Sequence, residues 1–103
     1  MDRIALVTGA GSGIGRATAI RLSQAGLRVV LASRGADALA ATAAACPGPT
    51  LAIPADVTDP PAVERLFSQA EQDWGAVEVL IAGAGAGYSA RIDREGQHLP
   101  ARA

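Results

Sequence analysis

Residues 4–15 read Ile-Ala-Leu-Val-Thr-Gly-Ala-Gly-Ser-Gly-Ile-Gly. The apolar residues at the start are typical of a strand that is buried on both faces, and we predict this strand over 3–7. The glycines that follow indicate a tight loop. Residues 14–25 are then predicted to form a helix, which Gly26 ends. The stretch therefore predicts a strand that turns through a glycine loop into a helix.

The rest of the chain repeats this alternation of strand and helix. Further strands are predicted over 28–32, 50–53 and 77–82, and further helices over 36–45 and from Pro60, after the N-cap Asp59, to Gly75. Four strands alternating with three helices predict an α/β fold, a Rossmann-type doubly wound parallel sheet with strand order 3-2-1-4. We interpret residues 1–87 as a partial domain of this type. Residues 88–103 are polar and aperiodic, and we interpret them as an irregular tail or an incomplete element.

The glycine loop has the features of a phosphate site. A helix N-terminus carries unpaired N–H groups and a partial positive charge, both of which favour an anion. In this interpretation Gly9 permits the sharp turn, Gly13 lets the backbone approach a pyrophosphate, and Gly15 lets the helix pack closely on the strand. Ser12 adds a hydroxyl donor. The alternative is a glycine-rich turn that binds nothing.

The spacing of the glycines excludes two common phosphate-binding motifs. The Gly-x-Gly-x-x-Gly fingerprint fails because its last glycine would fall on Ile14 when counted from Gly9, and on Arg16 when counted from Gly11. A mononucleotide P-loop needs a lysine, and all nine basic residues of this chain are arginines. The pattern that fits is Thr-Gly-x-x-x-Gly-x-Gly over residues 8–15.

This pattern resembles the cofactor loop of the short-chain dehydrogenase/reductase family, Thr-Gly-x-x-x-Gly-Ile-Gly. The resemblance implies the N-terminal portion of an oxidoreductase that transfers hydride between a nicotinamide dinucleotide and a carbonyl or alcohol. It also implies that the loop binds the cofactor through Gly9, Ser12, Gly13, Ile14 and Gly15.

The end of the second predicted strand bears on the choice of cofactor. An acid at this place accepts a hydrogen bond from the adenosine 2′-hydroxyl of NAD, whereas an arginine pairs with the 2′-phosphate of NADP. The strand is followed by Ser33 and Arg34, and the nearest acid, Asp37, lies a turn into the next helix. We therefore predict NADP(H) in preference to NAD(H), with Arg34 as the phosphate partner. The alternative for Arg34 is a solvated surface side chain. Arg16, in the first turn after the loop, could support the same phosphate, but for this residue a solvated side chain is the favoured interpretation.

Asp56 and Val57 follow the third predicted strand. The resemblance implies that the carboxylate of Asp56 accepts from the exocyclic amine of adenine while Val57 packs near the ring. The alternative is a helix-entry turn. Because Asp59 already provides the N-cap, Asp56 is expected to be the spare acid.

The catalytic residues of the family are not found. Its members use a serine and a Tyr-x-x-x-Lys motif, in which the lysine tunes the tyrosine. Here Tyr88 is followed four residues later by Ile92, and there is no lysine. Residues 82–85 read Ala-Gly-Ala-Gly where the family usually has Asn-Asn-Ala-Gly. His98, alone in the polar tail, offers no metal-ligand spacing. We expect a truncated chain with no catalytic residue and no metal site, inactive by itself.

The composition limits the partners. The formal net charge is −1 and no basic stripe is present, so nucleic acid is not an expected partner. No apolar run approaches the ~20 residues of a membrane span, and a cytoplasmic location is expected. The fourth predicted strand would leave an open apolar edge, which favours self-association. A second hypothesis follows, in which the chain is a non-catalytic nucleotide-binding or interaction module that uses this edge.

Overall fold

The structure, a computed structural model, describes residues 3–82, 88–92 and 98–99. The strands are β1 (Ile4–Thr8), β2 (Arg28–Ser33), β3 (Thr50–Pro54), β4 (Val79–Ala82), β5 (Tyr88–Ile92) and β6 (His98–Leu99). The helices are α1 (Gly13–Gln24), α2 (Ala36–Ala45) and α3 (Pro60–Asp73). Each element predicted before residue 83 is present, with ends that differ by at most two residues.

The first four strands form a parallel sheet in the order β3-β2-β1-β4, which confirms the predicted fold. β1 lies at its centre, with Val7 beside Leu31 of β2 on one side and Ile81 of β4 on the other. The strand order reverses at β1. The loop that follows β1 therefore opens at the switch point of the sheet, where α/β folds bind their ligands.

Helices cover both faces of this sheet. On one face, side chains of β1 and β2 pack against α1 and α2 in a cluster of Val7, Ala10, Ala19, Val29, Leu31 and Leu39. On the other face they pack against α3 in a cluster that includes Ile4, Leu6, Val30, Ala32, Leu66 and Ala70. Successive residues of β2 thus point into different clusters. This burial on both faces explains why β1 and β2 are continuous apolar runs rather than alternating ones.

The region after residue 87 differs from the expectation. An irregular tail or incomplete element was predicted from residue 88, but Tyr88–Ile92 and His98–Leu99 are strands. β5 pairs antiparallel with β4, and β6 pairs antiparallel with β5. The expectation that the fourth strand has an open edge is therefore wrong, and so is the premise for self-association through it. A strand edge carries unpaired N–H and C=O groups that favour pairing. Residues 88–92 read Tyr-Ser-Ala-Arg-Ile, and this alternation of apolar and polar residues is a strand pattern that the prediction overlooked.

None of the helices in the described part of the chain has the length and apolar character needed to cross a bilayer. Within the same residues, no group of three or more His, Cys, Asp or Glu side chains is placed to hold a metal ion. Residues 83–87, which follow the fourth strand, and residues 93–97 lie outside the described residues.

Candidate functional site

The candidate site lies where β1, β2 and β3 end at the same edge of the sheet. The loop after β1 is joined to β2 by a hydrogen bond from the backbone N of Ala10 to the carbonyl oxygen of Ala32, 3.1 Å long. The turn after β3 is joined to β2 in the same way, because the N of Ala55 donates to the carbonyl oxygen of Ser33 at 2.8 Å. Three segments predicted from the sequence to contact a dinucleotide are therefore held side by side.

The glycine loop uses backbone angles that favour glycine. Gly9 has a φ of 64° and Gly13 a φ of 57°, both in the left-handed region. A Cβ on Gly13 would meet no atom within 4 Å. The backbone at Gly13, the first residue of α1, thus faces open space, and a ligand can approach it there.

Gly15 is needed for a different reason, which is close packing. A Cβ at this position would collide with the carbonyl oxygen of Gly9, and it would lie 2.7 Å from the carbonyl carbon of Gly9 and 3.1 Å from the carbonyl oxygen of Thr8. Gly15 is buried in the first turn of α1. The helix therefore rests directly on the end of β1.

Two side chains of the loop are turned outward. Ser12 occupies the N-cap position of α1, but its hydroxyl makes no capping hydrogen bond. The side chain of Ile14 is 79% exposed, which is unusual for a large apolar residue in the described part of the chain. The first turn of α1 also contains no acidic residue. This surface combines backbone N–H groups, a hydroxyl and an apolar side chain without a negative charge, a combination that suits an anionic ligand.

Sequence reasoning missed part of the support beneath the loop. A Cβ on Gly11 would lie 2.9 Å from the Cβ of Ala38 and 3.1 Å from the Oγ of Ser33, so the loop sits tightly against α2 and the end of β2. Thr42 in α2 is fully buried, and its hydroxyl donates to the carbonyl oxygen of Ala10 at 2.8 Å. One signal was available, since Thr42 is a hydroxyl residue inside the otherwise alanine-rich run 40–45.

Ser33, the last residue of β2, is half-buried beside the loop, and Arg34, which follows it, is exposed. Asp37 lies in the first turn of α2, as expected from the sequence. The hydrogen bond from the N of Ala55 to the carbonyl oxygen of Ser33 brings the residues that follow them, Asp56 and Arg34, to the same edge of the sheet. Arg34 and Asp56 therefore flank one end of the candidate site.

The turn after β3 corrects one expectation. Asp59 does stand at the N-cap of α3, but its side chain makes no capping hydrogen bond. Asp56 was expected to be the spare acid, yet its Oδ1 accepts from the Oγ1 of Thr58 at 2.6 Å and from the N of Thr58 at 3.0 Å. The turn-forming role therefore belongs to Asp56. Spacing along the chain cannot distinguish two acids three residues apart when either can bond the local backbone.

The same contacts change the acidity of Asp56. The hydrogen bonds from the Thr58 side chain and backbone hold the pKa of the carboxyl below its ordinary value, and Arg34 lowers it further. Hydrogen bonds to the ionised form favour that form. Asp56 is thus a charged acceptor at neutral pH.

Comparison with known proteins agrees with this geometry. Residues 3–98 match the family model described as short chain dehydrogenase. The chain belongs to the short-chain dehydrogenase family. This family binds a nicotinamide dinucleotide.

Individual proteins of known sequence or structure show the same similarity. The chain is 41% identical to an uncharacterized oxidoreductase of Staphylococcus aureus (strain MRSA252), in an alignment that covers 88% of this chain and 40% of the relative. It is 38% identical to a meso-2,3-butanediol dehydrogenase of Serratia marcescens, over 82% of this chain and 34% of that protein. The crystal structure of an actinorhodin polyketide ketoreductase with NADPH superposes with a TM-score of 0.77 at 37% identity, covering 82% of this chain and 33% of that one. The chain thus spans at most 40% of the length of these relatives.

A substitution at Gly15 tests the contact between α1 and β1. Gly15→Ala should lower the free energy of unfolding by about 1–3 kcal/mol, the usual cost of overpacking, because the added methyl must displace the backbone of Gly9. Urea denaturation followed by circular dichroism measures the change. The matched control is Gly35→Ala, whose Cβ would make an ordinary contact of 3.7 Å with Ala38. Equal stability of the two variants would contradict the close-packing role.

A second prediction concerns the acidity of Asp56. Because the folded-state pKa is lowered, the stabilisation of this turn is present at neutral pH and is lost as the pH falls through that lowered value. Thr58→Val removes the hydroxyl donor, so the pKa of Asp56 should rise toward its ordinary value. NMR titration of the Asp56 carboxyl carbon measures it. Thr18→Val, the same exchange at a half-buried position of α1, is the control, and an unchanged Asp56 pKa in the Thr58 variant would refute the assignment.

Proposed function

We propose that this chain binds NADP(H) as the cofactor-binding portion of a short-chain dehydrogenase-type oxidoreductase. The reaction of the whole enzyme would be hydride transfer between the nicotinamide and a carbonyl or alcohol substrate. The observation that carries the proposal is the open backbone face at Gly13, at the N-terminus of a helix seated on the central strand. The family membership and the matching spacing of Gly9, Gly13 and Gly15 support it.

The pyrophosphate is proposed to lie against the loop and the first turn of α1. Backbone N–H groups there have no partner within the helix, and the helix dipole favours negative charge. The hydroxyl of Ser12, which makes no capping bond, would donate to a phosphate oxygen. The exposed side chain of Ile14 would pack against the bound dinucleotide and lose its contact with water.

The adenosine half is proposed to lie across the ends of β2 and β3. Arg34 would pair with the 2′-phosphate, and the neighbouring Ser33 would donate a hydrogen bond to the same group. The ionised carboxylate of Asp56 would accept a hydrogen bond from the exocyclic amine of adenine, and the half-buried Val57 would lie near the ring. Its bonds to Thr58 use Oδ1 and hold the carboxylate in place for this contact.

The preference for NADP(H) follows from charge. The 2′-phosphate is a dianion that a guanidinium binds through paired, charge-assisted hydrogen bonds, whereas the 2′-hydroxyl of NAD(H) needs an acceptor. Arg34 directly follows β2. The acid nearest to it along the chain is Asp37, which comes three residues later and belongs to α2. The ketoreductase that superposes on this chain is itself described with NADPH.

We also propose that these 103 residues bind the cofactor without catalysing hydride transfer. A tyrosine acts as the acid or base in this family only with a lysine to tune it, and the chain contains no lysine. The alternative function, a non-catalytic nucleotide-binding module, is favoured by the same absence. An interaction module that binds a partner through an unpaired β4 edge is not supported, because β5 pairs with β4.

Cofactor titrations test the proposed preference. The purified chain should bind NADPH more tightly than NADH, as followed by the fluorescence of the bound reduced nicotinamide or by calorimetry. Arg34→Gln should raise the Kd for NADPH by about tenfold to a hundredfold and leave the Kd for NADH nearly unchanged, because only NADPH loses a charge-assisted hydrogen bond. Arg21→Gln, in the last turn of α1, is the charge-matched control. Tighter binding of NADH than of NADPH would overturn the assignment.

The absence of catalysis has its own test. With NADPH bound, the chain should show no loss of absorbance at the nicotinamide band when small aldehydes, ketones and diketones are added. A full-length relative that carries the Tyr-x-x-x-Lys motif serves as the positive control. Turnover that co-purifies with the chain and disappears in Gly15→Ala would show that the reaction does not require the missing lysine.

A further inference from the structure

We propose that Thr42 is a positioning residue for the glycine loop, and that its hydroxyl holds the loop in the conformation that receives the pyrophosphate. The inference rests on the proposed cofactor function of that loop. Thr42 belongs to α2, and 32 residues of chain separate it from its partner Ala10.

The contact between them is direct and buried. The hydroxyl of Thr42 donates to the carbonyl oxygen of Ala10 at 2.8 Å, and both residues are fully buried. The N–H of the same alanine donates to the carbonyl oxygen of Ala32. Both polar backbone groups of Ala10 are thus satisfied, one by β2 and the other by α2. Removing the hydroxyl would leave a buried carbonyl without this partner, which is unfavourable.

The place of Ala10 in the loop makes this anchor important. It lies between Gly9 and Gly11, and glycines populate many backbone conformations of similar energy. A loop of this composition needs contacts from outside to select one conformation. The contact from Thr42 does this at the middle of the Gly9–Gly11 stretch, and the close fit of Gly11 on Ala38 adds a second point of support from the same helix.

The consequence is preorganisation of the cofactor loop. A loop already held in its binding conformation does not lose that conformational freedom when the ligand arrives, so the affinity is higher. α2 therefore acts on the pyrophosphate through the loop, although Thr42 is buried beneath it. The effect should be confined to ligands that contact the loop.

Three variants separate positioning from simple stability. Thr42→Val keeps the shape of the side chain and removes the donor, whereas Thr42→Ser keeps the donor and removes the methyl. Leu39→Val is the matched control, because Leu39 is buried in the same helix and the same cluster as Ala10 but makes no hydrogen bond to the loop. Urea denaturation establishes that all three are folded under the binding conditions.

Binding is measured with NADPH and with adenosine 2′-phosphate, which has the 2′-phosphate but no pyrophosphate. Thr42→Val should raise the Kd for NADPH by about tenfold and leave that for adenosine 2′-phosphate unchanged. Thr42→Ser should restore NADPH binding. Leu39→Val should lower the midpoint of denaturation without changing either Kd. Equal NADPH affinity of Thr42→Val and the wild type would overturn the inference, and so would a matching loss in Leu39→Val.

Amide hydrogen exchange of the ligand-free chain tests the anchor independently of cofactor binding. The amides of Ala10 and Gly11 should exchange faster in Thr42→Val than in the wild type or Leu39→Val. Unchanged exchange at these amides would overturn the inference even if NADPH binds. Failure of the wild type to bind NADPH would instead overturn the proposed function, and faster exchange would then still show that Thr42 holds the loop.

Discussion

The contact between the first turn of α1 and the end of β1 is the constraint on which the rest of the site depends. There is no space for a Cβ at Gly15, because the backbone of Gly9 and Thr8 occupies it. The helix can therefore start directly above the strand, and its unpaired N–H groups lie at the switch point of the sheet. With any larger residue at this position, the helix would have to move away from the strand and the loop would widen.

A second level of order comes from the hydrogen bonds that join the ends of neighbouring strands. Ala10 is bonded to β2, and the turn containing Asp56 is bonded to β2 through Ala55 and Ser33. β2 thus holds both the loop proposed for the pyrophosphate and the turn proposed for adenine. Such a site does not depend on long flexible side chains for its shape. It is built from backbone, and the side chains of Ser12, Arg34 and Asp56 are those proposed to add the specificity.

Much of this arrangement could be predicted from the sequence, because the deciding signals are local. The apolar runs of β1 and β2, the composition of the helices and the glycine spacing each lie within a few residues of one another. The correction at Asp56 concerns a hydrogen-bond partner that local pattern cannot reveal. Asp56 and Asp59 are equivalent in the sequence, and only the folded turn shows that Asp56 bonds Thr58. The strand β5, which pairs with β4, does have a local pattern, because residues 88–92 alternate apolar and polar side chains, and that pattern was overlooked.

The amino-acid sequence by itself determined the alternation of strands and helices, the family and the place of the glycine loop. It did so because burial on both faces and glycine spacing leave direct traces in residue type. Only the tertiary structure decided which groups hold the loop in place. The bond from Thr42 to Ala10 and the fit of Gly11 on Ala38 join residues that are far apart in the chain. Such contacts depend on how α2 packs against the sheet, and no local pattern encodes that packing.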